Sequence, residues 1–336
     1  MRERKEGIER LRGVAKNLKH ELSAAQAITI DIPVVALGLT TLQDTEIFNE
    51  CVPHLKILQP DVDRGDHQFV LRASTKRVLQ QNGGDALDDG AAALKAFDSA
   101  LQFLGALAIS TGALVLWRRA RFEPNELRGQ RVEQGLPLEV RFGETPVNVA
   151  PLECHAGHLW GAIQLLMMFI NDQWTDRFLL TYQKAQMFLA TPALAAVDLY
   201  EDAFLGFFRC LEYVTMTQAL GGRRGQFDEM RLAEALAVLN IQADNGPDAV
   251  KRVGKRLVRR RAEASAHLAH AASKARLEPR EVWELKGMLD LMIINFRKLK
   301  ISRERIAKTT SAGASNQATA PSPTEASAPP PAEPER

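Results

Sequence analysis

The clearest pattern of hydrophobic and polar positions lies in the second half of the chain. From residue 158 onward, apolar residues recur at alternating spacings of three and four, which is the pattern of packed helices. The predicted helices span 158–171, 174–190, 193–219, 228–241, 249–275 and 280–300. Short turns join the last four of them, as an antiparallel four-helix bundle requires. We therefore predict connecting helices over 151–192 and an all-α bundle over 193–302.

The first half of the chain mixes helical and strand patterns. Residues 1–21 predict an amphipathic helix and residues 44–51 a short one, whereas β-branched or alternating runs predict strands. The predicted strands span 28–42, 55–58, 67–73, 114–122 and 137–142, with 123–135 as a connection. Pro33 interrupts the first strand, which predicts a place on an edge or at a bend. The predicted fold class is therefore α+β, with a mixed α/β domain over 1–150 followed by the bundle.

One apolar segment raises the question of a membrane. The nineteen residues from Ser99 to Trp117 carry no charged side chain, and three arginines follow within four residues. Such a length and such a basic flank are typical of a transmembrane helix. Polar and glycine residues dilute the segment, however. We therefore favour a buried helix up to Ile109, a turn at Ser110–Gly112 and a strand, and we expect no membrane span.

The end of the chain has a different composition. From about residue 309 it consists mainly of Ala, Ser, Thr and Pro, with six prolines between Pro321 and Pro334 and no aromatic residue. Such a segment cannot bury enough apolar surface to offset the entropy of folding. We predict a disordered tail over 309–336.

Charge and cysteine content change this picture only locally. Basic residues number 43 against 41 acidic ones, so the net charge of +2 indicates no particular partner. The stretch 251–261, however, carries no acidic residue and seven basic ones: Lys251, Arg252, Lys255, Arg256, Arg259, Arg260 and Arg261. This density predicts a strongly positive helix face that could bind RNA. The three cysteines predict no disulfide framework, and together with the absence of a secretory pattern they favour a cytoplasmic protein.

The same helix contains a polar break in its apolar spacing. Val250, Val253, Leu257, Ala264 and Ala271 follow the spacing of a packed seam, whereas Arg260 and His267 occupy seam positions. A charge buried there needs a partner, so the break indicates either a site or a water-filled cleft. A helical wheel places Arg260, Glu263, His267 and His270 on one stripe at the margin of the apolar face.

An Arg and a His on one stripe suggest a specific chemistry. A guanidinium binds phosphate through two hydrogen bonds, and an imidazole exchanges protons near neutral pH. The pair can therefore cleave a phosphodiester through the adjacent ribose hydroxyl without a metal, with Glu263 orienting the imidazole or raising its pKa. The alternative is a solvated basic helix edge on which two histidines happen to fall.

The four helices from about 193 to 300 resemble a HEPN domain. The resemblance rests on an aromatic-rich first helix that ends in LGFFRCLEYV and on an Arg-then-His pair late in the third helix. It implies an α-helical bundle, often a homodimer, whose active members are metal-independent ribonucleases. Their motif is an Arg followed by a His after four to six residues, and two protomers commonly bring their motifs together.

The motif of the family is matched here in two ways. Arg261 and His267 have five residues between them, and Arg260 and His267 have six. The residue after the Arg is Arg261 or Ala262, where active members commonly have a polar residue such as Asn. The local Ala-His-Ala pattern fits His270 better, but no Arg precedes His270 at the required distance. A catalytically inactive dimerisation or interaction module therefore stays the alternative.

Other candidate sites are weaker. Glu153, Cys154, His155 and His158 are metal-ligand types, but a zinc site draws on two separated ligand pairs and the second is not evident. We interpret this stretch as a helix start with two ordinary histidines. The glycines at 221–225 lack the spacing and the preceding strand of a phosphate loop. We predict neither a metal nor a cofactor.

Overall fold

The computed structural model describes most of the chain in separate ranges. These are residues 2–15, 27–52, 54–59, 69–76, 87–117, 119–127, 130–135, 152–172, 174, 176–191, 199–222, 225–241, 247–265 and 277–317. Residues up to Arg297 form one compact unit, and the residues from Lys298 form a second.

The first half of the chain contains both helices and strands, and the elements described after residue 155 are helices. The first part contains α1 (Arg2–Ala15), β1 (Ala27–Leu37), β2 (Leu39–Leu42), α2 (Thr45–Cys51), β3 (Leu55–Leu58), β4 (Phe69–Lys76), α3 (Leu87–Thr111), β5 (Leu114–Trp117), β6 (Arg119–Leu127), β7 (Gln130–Gly135) and β8 (Leu152–Cys154). The second part contains α4 (Ala156–Asn171), α5 (Asp176–Ala190), α6 (Tyr200–Tyr213), a π-helix (Val214–Ala219), α7 (Glu229–Val238), α8 (Pro247–Ser265) and α9 (Pro279–Gln317). The predicted α+β class is confirmed.

The central strand of the sheet is β1. The order is β3-β4-β1-β6-β7, and β5 also pairs with β1. Pro33 therefore lies in a central strand, which rules out the edge, one of its two expected positions. It faces Val70 of β4 on one side. On the other side it falls where β1 changes partner, between Asp31, the last residue paired with β6, and Val34, the first paired with β5. A missing N–H is tolerated at such an interruption of the ladder.

Two further predictions in this half have clear outcomes. The expected connection over 123–135 is wrong, because β6 continues to Leu127 and pairs antiparallel with β7. Cross-strand pairing stabilises these strands although their sequence lacks an alternating pattern. The expected strand at 137–142 lies outside the described residues.

The apolar segment is a core helix followed by a strand. The predicted order of helix, turn and strand is confirmed, but α3 continues to Thr111, two residues past its expected end. Gly112 follows with a φ of 73°, and β5 comes next. The window Ala92–Thr111 has a mean hydropathy of 1.3 and is 56% buried, so by length and composition alone it could cross a membrane. Phe103 and Leu107 are fully buried. Packing in the core of the compact unit accounts for the apolar character of this helix.

Helices were expected in the second half, and α4 to α9 lie there. Within the predicted helix over 193–219, Tyr200–Tyr213 is α-helical and Val214–Ala219 is the π-helix, whereas residues 193–198 lie outside the described part of the chain. Helices α5 and α6 approach closely, since a Cβ on Gly206 would lie 2.8 Å from the Cβ of Ala185. The last helix continues to Gln317, past the start of the predicted tail, and residues 318–336 lie outside the described part of the chain.

A buried polar network joins α9 to α5 and to the turn after α3. The Lys286 ammonium donates to Asp290 Oδ2 at 2.6 Å and to the Gly112 carbonyl at 2.9 Å. The Tyr182 hydroxyl donates to Asp290 Oδ1 at 2.6 Å. Lys286 and Tyr182 are fully buried, and Asp290 is 4% exposed. Burial raises the pKa of Asp290, against the opposing effect of Lys286, and raises that of Tyr182 well above its ordinary value.

Candidate nucleic-acid interface on helix α8

Helix α8 packs through a different face from the predicted seam. Leu257 is buried as expected, but Val253 is 36% exposed and Gly254 is buried in its place. A Cβ on Gly254 would lie 3.0 Å from the Cβ and 3.1 Å from the Cα of Glu229 in α7. The close approach of these two helices therefore sets the rotation of α8. A glycine inside a helix was the signal in the sequence that could have indicated this contact.

Four basic residues form an exposed stripe along α8, which we call the basic stripe: Arg252, Lys255, Arg256 and Arg259. Their positions fall within about 100° of the helix circumference and span about 10.5 Å along its axis. Lys251 precedes them in α8, and only its backbone is described. The structure thus brings together the residues predicted to bind RNA, apart from the undescribed Lys251 side chain.

The members of the basic stripe differ in their partners. Arg256 contacts Glu284 of α9 at 3.0 Å, and Arg259 contacts Glu263 at 2.9 Å although 81% of its side chain stays exposed. The side chains of Arg252 and Lys255 make no hydrogen bond or ion pair within the described residues. These two cations are therefore the ones most available to a polyanion.

Arg260 lies between two carboxylates. Its Nε donates to Glu281 Oε1 of α9 at 3.0 Å, and one terminal nitrogen donates to Glu263 Oε2 at 3.1 Å. The side chain is 22% exposed. Burial lowers the pKa of the guanidinium, but Glu281 and Glu263 outweigh that effect and raise it. The charge of Arg260 at the helix seam is therefore compensated by two carboxylates of the same chain, Glu281 and Glu263.

Arg261 points to a different helix. A terminal nitrogen lies 3.2 Å from Glu212 Oε1 in α6, and the guanidinium carbon lies 5.1 Å from the centre of the Phe208 ring. This geometry combines an ion pair with a cation–π contact. Arg260 and Arg261 thus hold α8 to two different neighbours, α9 and α6.

The predicted catalytic group is only partly described. Glu263 accepts from Arg259 and from Arg260, and the hydrogen bond from Arg259 is the main cause of its lowered pKa. His267 and His270 lie outside the described residues, because α8 is described only to Ser265. The Arg/His pairing and the role of Glu263 beside His267 therefore stay predictions.

The weak metal candidate is instead a helix cap. The Gly157 N–H donates to His155 Nδ1 at 3.0 Å, and the His155 N–H donates to His158 Nδ1 at 3.3 Å. In a neutral imidazole whose Nδ1 accepts, the proton lies on Nε2, so neither nitrogen has a lone pair left for a metal. Burial raises the pKa of Cys154 to about 12. Among the described residues, no three His, Cys, Asp or Glu side chains come together in a group that could hold a metal ion.

Sequence reasoning missed the carboxylates that hold the two arginines. Glu281 and Glu212 belong to helices distant in sequence from α8. It also missed the buried Lys286–Asp290 pair. The signal for that pair was present, since both residues lie on the face of α9 that buries Val282, Leu289 and Ile293.

Comparison with known proteins adds no relative to this description. No family model, no curated protein and no solved structure matches the chain.

Proposed function

We propose that this protein is a HEPN-like RNA-binding protein that binds its partner through the basic stripe of α8. The observation that carries the proposal is the alignment of Arg252, Lys255, Arg256 and Arg259 on one exposed helix face. Cations in such a row neutralise phosphates along one strand and release counterions, which supplies most of the affinity in sequence-independent binding. The resemblance further implies a homodimer, and the low cysteine content favours a cytoplasmic location.

The composition of α8 indicates how RNA would be recognised. The helix contains no aromatic residue and no Asn or Gln. Aromatic rings that stack on bases and amide side chains that pair with adenine are therefore not supplied by this helix. The basic stripe binds mainly through the phosphate backbone, with contacts from Arg to guanine as the remaining means of reading bases.

Two contacts favour binding over cleavage. A catalytic Arg holds phosphate through free N–H donors, whereas Arg260 already donates to Glu281 and Glu263. Arg261 contacts Glu212 and covers Phe208. A phosphate at either position would have to displace a carboxylate of the same chain. We therefore propose that the protein binds RNA without cleaving it. Cleavage by an Arg/His pair is the second candidate function.

We expect the Arg252→Ala/Lys255→Ala variant to bind RNA more weakly than the parent chain. Loss of two phosphate contacts reduces the salt dependence, the slope of log affinity against log salt, by about 1.4 for a single strand. Titration of a labelled single-stranded RNA between about 50 mM and about 200 mM salt measures this slope.

The matched control removes the same charge from another surface. Arg177 and Lys184 of α5 are exposed and lie outside the basic stripe, so Arg177→Ala/Lys184→Ala should leave the slope within about 0.3 of the parent value. If the slope fell equally in the two double variants, net charge alone would account for RNA binding, and the assignment of the binding site to α8 would be wrong.

Cleavage is tested separately in a chelating buffer. We expect the full chain to leave single-stranded RNA intact there, since both candidate arginines are engaged with carboxylates. RNA degradation that the His267→Ala variant abolishes, with the fold unchanged, would instead support the metal-independent nuclease.

A further inference from the structure

Two imidazoles cap the first turn of α4. His155 Nδ1 accepts from the Gly157 N–H at 3.0 Å, and His158 Nδ1 accepts from the His155 N–H at 3.3 Å. This is the arrangement of a capping box, in which Ser or Thr and Glu or Gln normally stand. An imidazole nitrogen accepts only while it is unprotonated. Both hydrogen bonds therefore require neutral histidines.

Helix α1 docks on this same turn with almost no space between the backbones. A Cβ on Gly7 would lie 2.6 Å from the Ala156 carbonyl carbon and from the Gly157 nitrogen. Arg4 of α1 binds Asp44 through two nitrogens, with the closest contact at 2.6 Å. Asp44 Oδ2 in turn accepts from the Ala156 N–H at 3.1 Å. The position of α1 thus depends on the geometry of the capped turn.

We propose that the His155–His158 cap makes the docking of α1 on α4 sensitive to pH, so that α1 is held near neutral pH and released as the pH falls. Protonation of either Nδ1 turns an acceptor into a donor that faces a backbone N–H. It also places a positive charge at a helix N-terminus, where the backbone dipole already disfavours cations. The two ring centres are only 4.2 Å apart, so a second proton is opposed by the first.

The charged groups around the rings come from three elements. Glu3 of α1 interacts with His158, and Asp44, before α2, interacts with His155. Arg4 of α1 pairs with Asp44, and Glu153 of β8 in turn interacts with Arg4. From α3, the Ser110 hydroxyl donates to the His158 carbonyl. Burial and then His155 lower the pKa of His158, and Glu3 opposes them without reversing the shift.

The direction of the pH effect follows from this shift. Because the neutral form of His158 is favoured in the folded chain, its contribution to stability is complete above the ordinary imidazole pKa of about 6.5 and is lost as the pH falls below it. Docking of α1 should therefore weaken on acidification.

Hydrogen–deuterium exchange of the full chain tests the proposal. At about pH 7.5 the peptides that cover α1 and the start of α4 should be protected, and at about pH 5.5 their protection factors, corrected for intrinsic exchange, should fall about tenfold. Peptides from α5 and α6 provide the internal reference, because they should change much less.

A non-titrating cap provides the decisive variant. In His155→Asn/His158→Gln both side chains keep an oxygen that can accept the same backbone N–H groups, without an ionisation near neutral pH. We expect protection of α1 in this variant to be independent of pH. The His54→Gln variant changes an exposed histidine before β3 and should keep the parent response.

Each outcome decides the proposal. An equal loss of protection on acidification in the parent and the non-titrating variant overturns it, and so does a parent chain whose α1 stays protected at about pH 5.5. If the non-titrating variant folds poorly, the parent and the His54→Gln variant still test the proposal. Both must lose exchange protection in α1 and at the start of α4 on acidification, and a failure of either to do so overturns it.

Discussion

The Asp290→Ala variant should lose about 3–5 kcal/mol of unfolding free energy. Within the described residues, the substitution leaves the fully buried Lys286 ammonium with the Gly112 carbonyl as its one acceptor, and it removes the acceptor of the Tyr182 hydroxyl. An uncompensated buried charge costs far more than a surface ion pair contributes. Chemical denaturation followed by circular dichroism measures the loss.

A double-mutant cycle separates the pair from its surroundings. Lys286→Met combined with Asp290→Ala should cost less than the sum of the two single changes, because neither charge is then left alone. Lys184→Met makes the same substitution at an exposed position of α5 and should change stability by less than about 0.5 kcal/mol. A loss below about 1 kcal/mol in Asp290→Ala would contradict the buried-pair assignment.

The Gly7→Ala variant should be destabilised by about 3 kcal/mol, at the upper end of overpacking costs. The added Cβ would lie 2.6 Å from backbone atoms of Ala156 and Gly157, and backbone cannot rotate away as a side chain can. This penalty exceeds the gain in helix propensity from Gly to Ala, which is about 1 kcal/mol. Thermal unfolding of the variant, together with proteolysis of α1, measures the effect.

Gly13 in the same helix provides the matched control. A Cβ there meets no atom of the described residues within 4 Å, so Gly13→Ala should stabilise the chain by about 0.5–1 kcal/mol. Opposite signs for the two substitutions would confirm close packing of α1 on α4. A stabilising Gly7→Ala would show that the two backbones do not approach as described.

Periodicity predicted the helices well because one face of each is buried against the core. Periodicity failed where the pairing of strands or the close approach of two helices determines the structure. Strands β6 and β7 carry polar sequences, and their stability comes from each other, which no single segment reveals. Similarly, Pro33 fits a central strand only because β1 changes partner beside it.

The candidate site was predictable only in part, for a related reason. Charge density alone indicated the basic stripe, and the structure exposes its four described side chains on one face. The partners of Arg260 and Arg261 come from α9 and α6, so sequence near α8 could not show that these two guanidiniums hold carboxylates. The rotation of α8 was set by Gly254 against Glu229.

The hydrogen bond from Lys286 to the Gly112 carbonyl has a consequence for the order in which the chain is made. The donor is synthesised 174 residues after the acceptor. Until α9 leaves the ribosome, the turn between α3 and β5 lacks this donor and the carboxylate that accepts from Tyr182 does not yet exist. This buried network can therefore form only after α9 has been synthesised, and α9 is the element that completes it.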